Sequence, residues 1–120
     1  MTQAAQETPA AATTNVVTLV GRLTATPEQK ELPSGDLIVT FRVSVPRQGT
    51  PMTRGSKQGT DWVDCVAFGA RCRRSVIGWQ VGDEVAVEGA LRRRFYRTPA
   101  GASTRLEVEA LKARRVARAP

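Results

Sequence analysis

The chain has no histidine and only two cysteines among its 120 residues. The first absence removes the commonest general base and the commonest zinc ligand, and two cysteines are too few for a structural zinc site. Cys65 and Cys72 do not form a CxxC pair, and both fall inside apolar segments. They read as two buried free thiols, with a single disulfide as the alternative. Long apolar runs are missing too, since none approaches the roughly 18 residues a membrane-spanning helix needs. The N-terminal stretch lacks the charged-then-apolar order of a secretory leader, so a cytoplasmic location is expected. There is neither a phosphate-binding loop nor an activated-nucleophile motif. The expectation is a protein without catalytic activity, metal, cofactor, membrane anchorage or small-molecule substrate.

The surplus is in positive charge. Lys and Arg number 18 against 11 Asp and Glu, a formal net charge of +7, and most of the cations are arginine. Arginine both stacks on bases and forks onto phosphates. Such a balance favours an anionic partner, nucleic acid before acidic membrane. A G+C-rich coding sequence would account for Arg in place of Lys, but not for the surplus.

The length bounds a single domain with a modest core. Residues 1–14 are Ala, Thr, Gln and Pro without an apolar period and read as a disordered lead-in. Residues 15–24 read as a first strand, with Val17, Leu19, Gly21 and Leu23 on one face and Val16, Thr18 and Val20 on the other. Gly21 in mid-strand suggests a bend where the strand passes between sheets. A turn at 32–36 leads into a second strand in which Leu37, Val39, Phe41, Val43 and Val45 alternate with Ile38, Thr40, Arg42 and Ser44. Residues 47–60 form a long loop with three glycines and three basic residues, and 61–68 form a third strand. From 70 to 80, Cys72, Ser75, Val76 and Trp79 recur at helical spacing, and Gly82 is expected to close that helix. The fourth strand, 83–91, puts Val85, Val87, Gly89 and Leu91 inward. Residues 92–103 read as a basic hairpin tip. A fifth strand puts Leu106, Val108 and Ala110 inward, opposite Arg105, Glu107 and Glu109. From Lys112 a basic tail, 112–120, is expected to fray, leaving 15–111 as the folded domain.

Five strands with the helix between the third and fourth is the order of an OB-fold, an all-β, partly open Greek-key barrel. The competing five-strand topology, an SH3-like barrel, carries no helix there.

A set of segments in order carries a resemblance. They are Asn15 to Leu23, Thr26-Pro27-Glu28, the turn from Pro33 to Gly35, Asp61-Trp62 ahead of Val66-Ala67-Phe68-Gly69, and Val81-Gly82-Asp83 ahead of Val85 to Gly89. Together they resemble the bacterial single-stranded DNA-binding protein family over about residues 15 to 111. The resemblance implies an OB-fold that binds single-stranded DNA with little sequence preference, as a homotetramer, in replication, repair and recombination. It also implies a nucleoid-associated location. The family's stacking aromatics correspond to Trp62, Phe68 and Tyr96. Two departures stand out: residues 47–60 hold no aromatic where the family places another Trp, and the chain ends in Arg118-Ala119-Pro120 rather than an acidic peptide. The second motivates the expectation of an accessory paralogue rather than the main replicative protein.

Each candidate residue also has an ordinary reading. Phe41 and Trp79 lie on apolar faces and read as core. Trp62 and Phe68 share a strand face with Asp64, a poor tenant of a core, so that face is expected to point outward. Arg92-Arg93-Arg94-Phe95-Tyr96-Arg97 sends Arg92, Arg94 and Tyr96 one way and Arg93, Phe95 and Arg97 the other. Interleaved Arg and aromatics can hold phosphates and stack on bases; the ordinary alternative is a solvated hairpin tip. Arg42, Arg47, Arg54 and Lys57 complete the candidate set, and Arg71, Arg73 and Arg74 read as a solvated helix face. Two rival functions use similar surfaces: an OB-fold RNA-binding protein, and a protein-interaction module in DNA repair.

Overall fold

Alternating apolar residues build a sheet that curls until its ends meet. In the computed structural model, which describes residues 12–120, the strands are β1 (Val17–Leu23), β2 (Glu28–Glu31), β3 (Leu37–Pro46), β4 (Thr60–Ala67), β5 (Glu84–Thr98) and β6 (Gly101–Ala117). One helix, α1 (Ala70–Ile77), lies between β4 and β5. Most of the expected lead-in over 1–14 falls outside the described residues. Neighbouring strands run in the order β1-β5-β6-β4-β3-β2, and a further β1–β3 pairing closes the sheet. The β4–β6 pair is parallel and the others are antiparallel. This is the expected OB-fold.

Closure depends on two glycines. β1 pairs with β5 through Arg22 and turns to β3 at Arg22 and Leu23. There Gly21 lies so close to the Ser44 carbonyl that a Cβ would overlap it. Gly89 meets the Glu109 carbonyl in the same way, at the bulge where β5 shifts register against β6. The expected bend at Gly21 is therefore a close backbone approach that only glycine permits.

The core gathers Leu23, Val39, Phe41, Val43, Cys65, Val76, Val85, Val87 and Val108 inside the barrel. Trp79 meets Phe41 edge-on, ring centroids 5.5 Å apart at 89°. Cys65 and Cys72 are buried free thiols, and burial, then Asp64 and Glu107, pushes the Cys65 thiol up to about 12.

Several boundaries differ from the sequence reading. β2 is an added strand, paired with β3; its four residues are all exposed, so no hydrophobic alternation announces it. The helix ends at Gly78 rather than Gly82, and Trp79 reaches the core from just beyond it. Gly82, at φ +92°, instead forms the turn into β5. Residues 92–103 are a paired ribbon, not a loose tip, since the ladder continues to Thr98 opposite Gly101. Leu91 and Leu106 were expected inward but are 43% and 51% exposed, because the ribbon there runs past the barrel rim. Finally, the segment from Lys112 does not fray: β6 continues to Ala117, with register shifts that leave Leu111 and Val116 as the extra residues.

A buried carboxylate secures that last stretch. Asp83 accepts hydrogen bonds from the amides of Gln80 (2.8 Å) and Ala119 (2.7 Å) and from Arg115 Nη1 (3.2 Å). The Gln80 amide, joined by Ala119 and Arg115, holds its carboxyl below the usual value against the opposing effect of burial. A lowered folded-state pKa contributes stability above the ordinary carboxylate range, and that contribution is lost as pH falls through the folded value. Asp83→Asn should therefore be less stable than the parent near neutrality, with the gap closing on the acid side of about pH 4. Urea unfolding at several pH values reads this; a gap constant with pH would show that the charge is not what matters.

Candidate nucleic-acid interface

One outer face of the barrel runs across β3, β4, β6 and β5, and register decides its occupants. Arg42 lies opposite Asp64 and Ser44 opposite Trp62 on β3–β4; Val66 is level with Glu109 on β4–β6. On β5–β6, Arg92 lies opposite Glu107, Arg94 opposite Arg105 and Tyr96 opposite Ser103. Strand alternation thus brings Arg42, Trp62, Arg92, Arg94 and Tyr96 onto a common surface.

Trp62 is 56% exposed, and the Arg42 guanidinium carbon sits 4.0 Å from its ring centroid. Asp64 fixes that arrangement, because Arg42 Nε donates to Asp64 Oδ1 at 2.9 Å. Trp62 and Asp64 point outward as expected, whereas Val66, next in the same alternation, is buried. Phe68 is half-exposed at the edge of an open cleft of about 340 Å³ lined also by Val66, Arg92, Arg93, Arg94, Glu107 and Glu109.

At the ribbon, Arg94 forks onto Glu107, Nε to Oε1 at 2.6 Å and Nη2 to Oε2 at 3.2 Å. Arg92 Nε reaches Glu109 at 2.9 Å. Both are diagonal cross-strand pairs, each Arg skipping the residue directly opposite. Tyr96 lies near two guanidinium carbons, Arg94 at 5.9 Å and Arg105 at 5.7 Å. The Ser103 hydroxyl, then Arg105 and Arg94, hold its phenol below the usual value, with burial opposing them.

The remaining candidates do not join this face. Arg93 donates to Thr104 Oγ1 at 3.0 Å on the ribbon's other side, with Arg97 and the 72%-exposed Phe95. Arg47 is half-buried and ties the 47–59 loop together through Asp61 (2.8 Å) and Ser56 (3.3 Å). Arg54 and Lys57 are exposed on that loop. Arg115, expected in a free basic tail, is bound to Asp83.

Sequence reasoning missed Arg105 and the roles of Asp64, Glu107 and Glu109. A signal was present: placing a two-residue turn at Pro99-Ala100 makes Thr98 face Gly101, and counting back sets Arg94 against Arg105.

The fold and this face define an OB-fold whose outer surface interleaves aromatic rings with arginine. The model described as "Single-strand binding protein family" matches residues 14–116, and the chain belongs to that family. It is 33% identical over 87 residues to the single-stranded DNA-binding protein of Thermotoga maritima, covering 72% of this chain and 62% of the relative. It is 31% identical to single-stranded DNA-binding protein A of Bacillus subtilis, over 72% of this chain and 49% of that one. The chain therefore spans about half to three-fifths of the length of these relatives. Among solved structures, "Plasmodium falciparum SSB complex with ssDNA" superposes with a TM-score of 0.67 at 24% identity, over 88% of this chain and 95% of that chain. Among the described residues, no helix is long and apolar enough to cross a membrane.

Proposed function

We propose that this chain binds single-stranded DNA with little sequence preference, as a non-catalytic sheath in replication, repair or recombination. The observation that carries the reading is the face just described, where Trp62 and Tyr96 are flanked by guanidiniums. Membership of the family supports it. Every base has a π-face, so an exposed ring gives affinity without reading sequence. Arginine beside the ring meets the phosphate that accompanies each stacked base. Trp62, Phe68 and Tyr96 serve as stacking rings, with Arg42, Arg92 and Arg94 beside them. Phe95, Arg93 and Arg97 extend the surface around the ribbon, and Arg54 and Lys57 add charge from the loop. Arg47 contributes by ordering that loop. The exposed Val20 on the outer face of β1, with Val16 just ahead of that strand, supports association of copies of the chain, a tetramer in this reading.

The test is a titration with oligo-dT, followed by tryptophan fluorescence at several salt concentrations. Affinity should fall with salt at a log–log slope of roughly −0.7 per phosphate neutralised. A flat response rejects the phosphate component. Sedimentation of the free protein at micromolar concentration, run beside it, should show an oligomer; monomer alone would remove the tetramer from the reading. RNA competing as well as DNA would favour the RNA-binding alternative.

A further inference from the structure

A carboxylate at the centre of a surface meant for a polyanion is out of place on charge alone. Glu107 is such a group, and it is 1% exposed. It lies beneath two arginines that face each other across the β5–β6 ladder, Arg94 and Arg105. Like charges placed directly opposite repel and splay into solvent. Glu107 sits two residues along the ladder on the same face and reaches both, taking two hydrogen bonds from Arg94 at 2.6 and 3.2 Å and lying 4.0 Å from Arg105 Nη1. The two guanidiniums it gathers are the two that approach the Tyr96 ring.

We propose that Glu107 is a positioning residue for strand binding: by holding Arg94 and Arg105 beside Tyr96, it prepares a cradle for one nucleotide, a stacked base with its phosphate. This rests on the reading that the face binds single-stranded DNA. Arg94 spends Nε and Nη2 on Glu107, and Nη1 has no side-chain partner among the described residues. That leaves a fixed donor for phosphate. A free arginine loses side-chain entropy when it grips a ligand. Here that ordering occurs on folding, and the bidentate fork sets the plane of the guanidinium. Glu107 need never touch the strand.

The proposal and simple charge counting predict opposite signs. Removing a negative charge from the face should tighten binding if only net charge matters. If Glu107 positions the arginines, Glu107→Gln should weaken it, by about fivefold or more for contacts coupled in one network. Affinity is read by anisotropy of labelled oligo-dT at one moderate salt concentration, with unfolding curves confirming the fold. The same substitution in a Tyr96→Ala background should lose most of its effect, because the cradle is already gone. A general structural defect would instead add to the Tyr96→Ala loss. Arg94→Lys keeps the charge but cannot fork onto Glu107, and it should weaken binding comparably. Unchanged or tighter binding by folded Glu107→Gln, full additivity with Tyr96→Ala, or parental affinity in Arg94→Lys would each overturn the proposal. If Glu107→Gln does not fold, Arg94→Lys decides alone. Failure of the parent chain to bind oligo-dT would instead reject the proposed function itself.

Discussion

Replacing Trp79 by alanine should cost about 3–5 kcal/mol of folding stability, the range for deleting a large buried aromatic. Small domains have only about 5–15 kcal/mol in total, so the variant should unfold at far lower urea. Trp79 is 4% exposed, and its edge-on contact with Phe41 joins the segment after α1 to β3. Alanine leaves a cavity that a closed barrel cannot collapse to fill, because β3 is paired on both sides. The midpoint of urea unfolding is the measurement. A loss below 1 kcal/mol would mean that Trp79 does not hold the helix end to the barrel.

Trp62→Ala should do the reverse. Stability should change little, because the ring is 56% exposed and supports no core residue. Affinity for oligo-dT should fall by about 1–3 kcal/mol, roughly 5- to 150-fold in Kd. The chain's two tryptophans make the optical signal specific, since Trp79 is buried and Trp62 faces the proposed path of the strand. DNA should quench the Trp62 part of the emission and leave the Trp79 part, and the variant should show almost no quenching. A Trp62→Ala protein that unfolds yet keeps its affinity would mean that the outer and inner faces of β4 have been exchanged.

The barrel was legible because its core strands carry apolar residues at two-residue spacing. Val39, Phe41 and Val43 on β3, and Val85 and Val87 on β5, reveal a covered face with no other information. Glycine was legible where geometry required it, as at Gly21. Legibility failed where burial does not follow the two-residue period. β2 is exposed throughout, so nothing in its hydrophobicity marks a strand. Leu106 continues an inward alternation, but the ribbon has left the barrel there and the side chain is half-exposed. The long β6 was hidden because Arg114 and Arg115 look like a solvated tail until Asp83 is seen to hold Arg115.

Some properties of this protein follow from the sequence by itself: strands about a narrow core, a short helix between the third and fourth of its main strands, a basic surface, and aromatics apart from the core. Each depends on local periodicity or on composition, which a linear chain carries in full. Only the tertiary structure decided which charges meet. Arg42 reaches Asp64 across 22 residues, Arg94 reaches Glu107 across 13, and Arg115 reaches Asp83 across 32. A carboxylate is a solvated charge or a buried anchor according to what the sheet register places beside it. Register is set by turns and bulges, so Glu107 acquires its place under Arg94 only when the Pro99-Ala100 turn pairs β5 with β6, whereas Asp83 meets Arg115 only when distant segments come together.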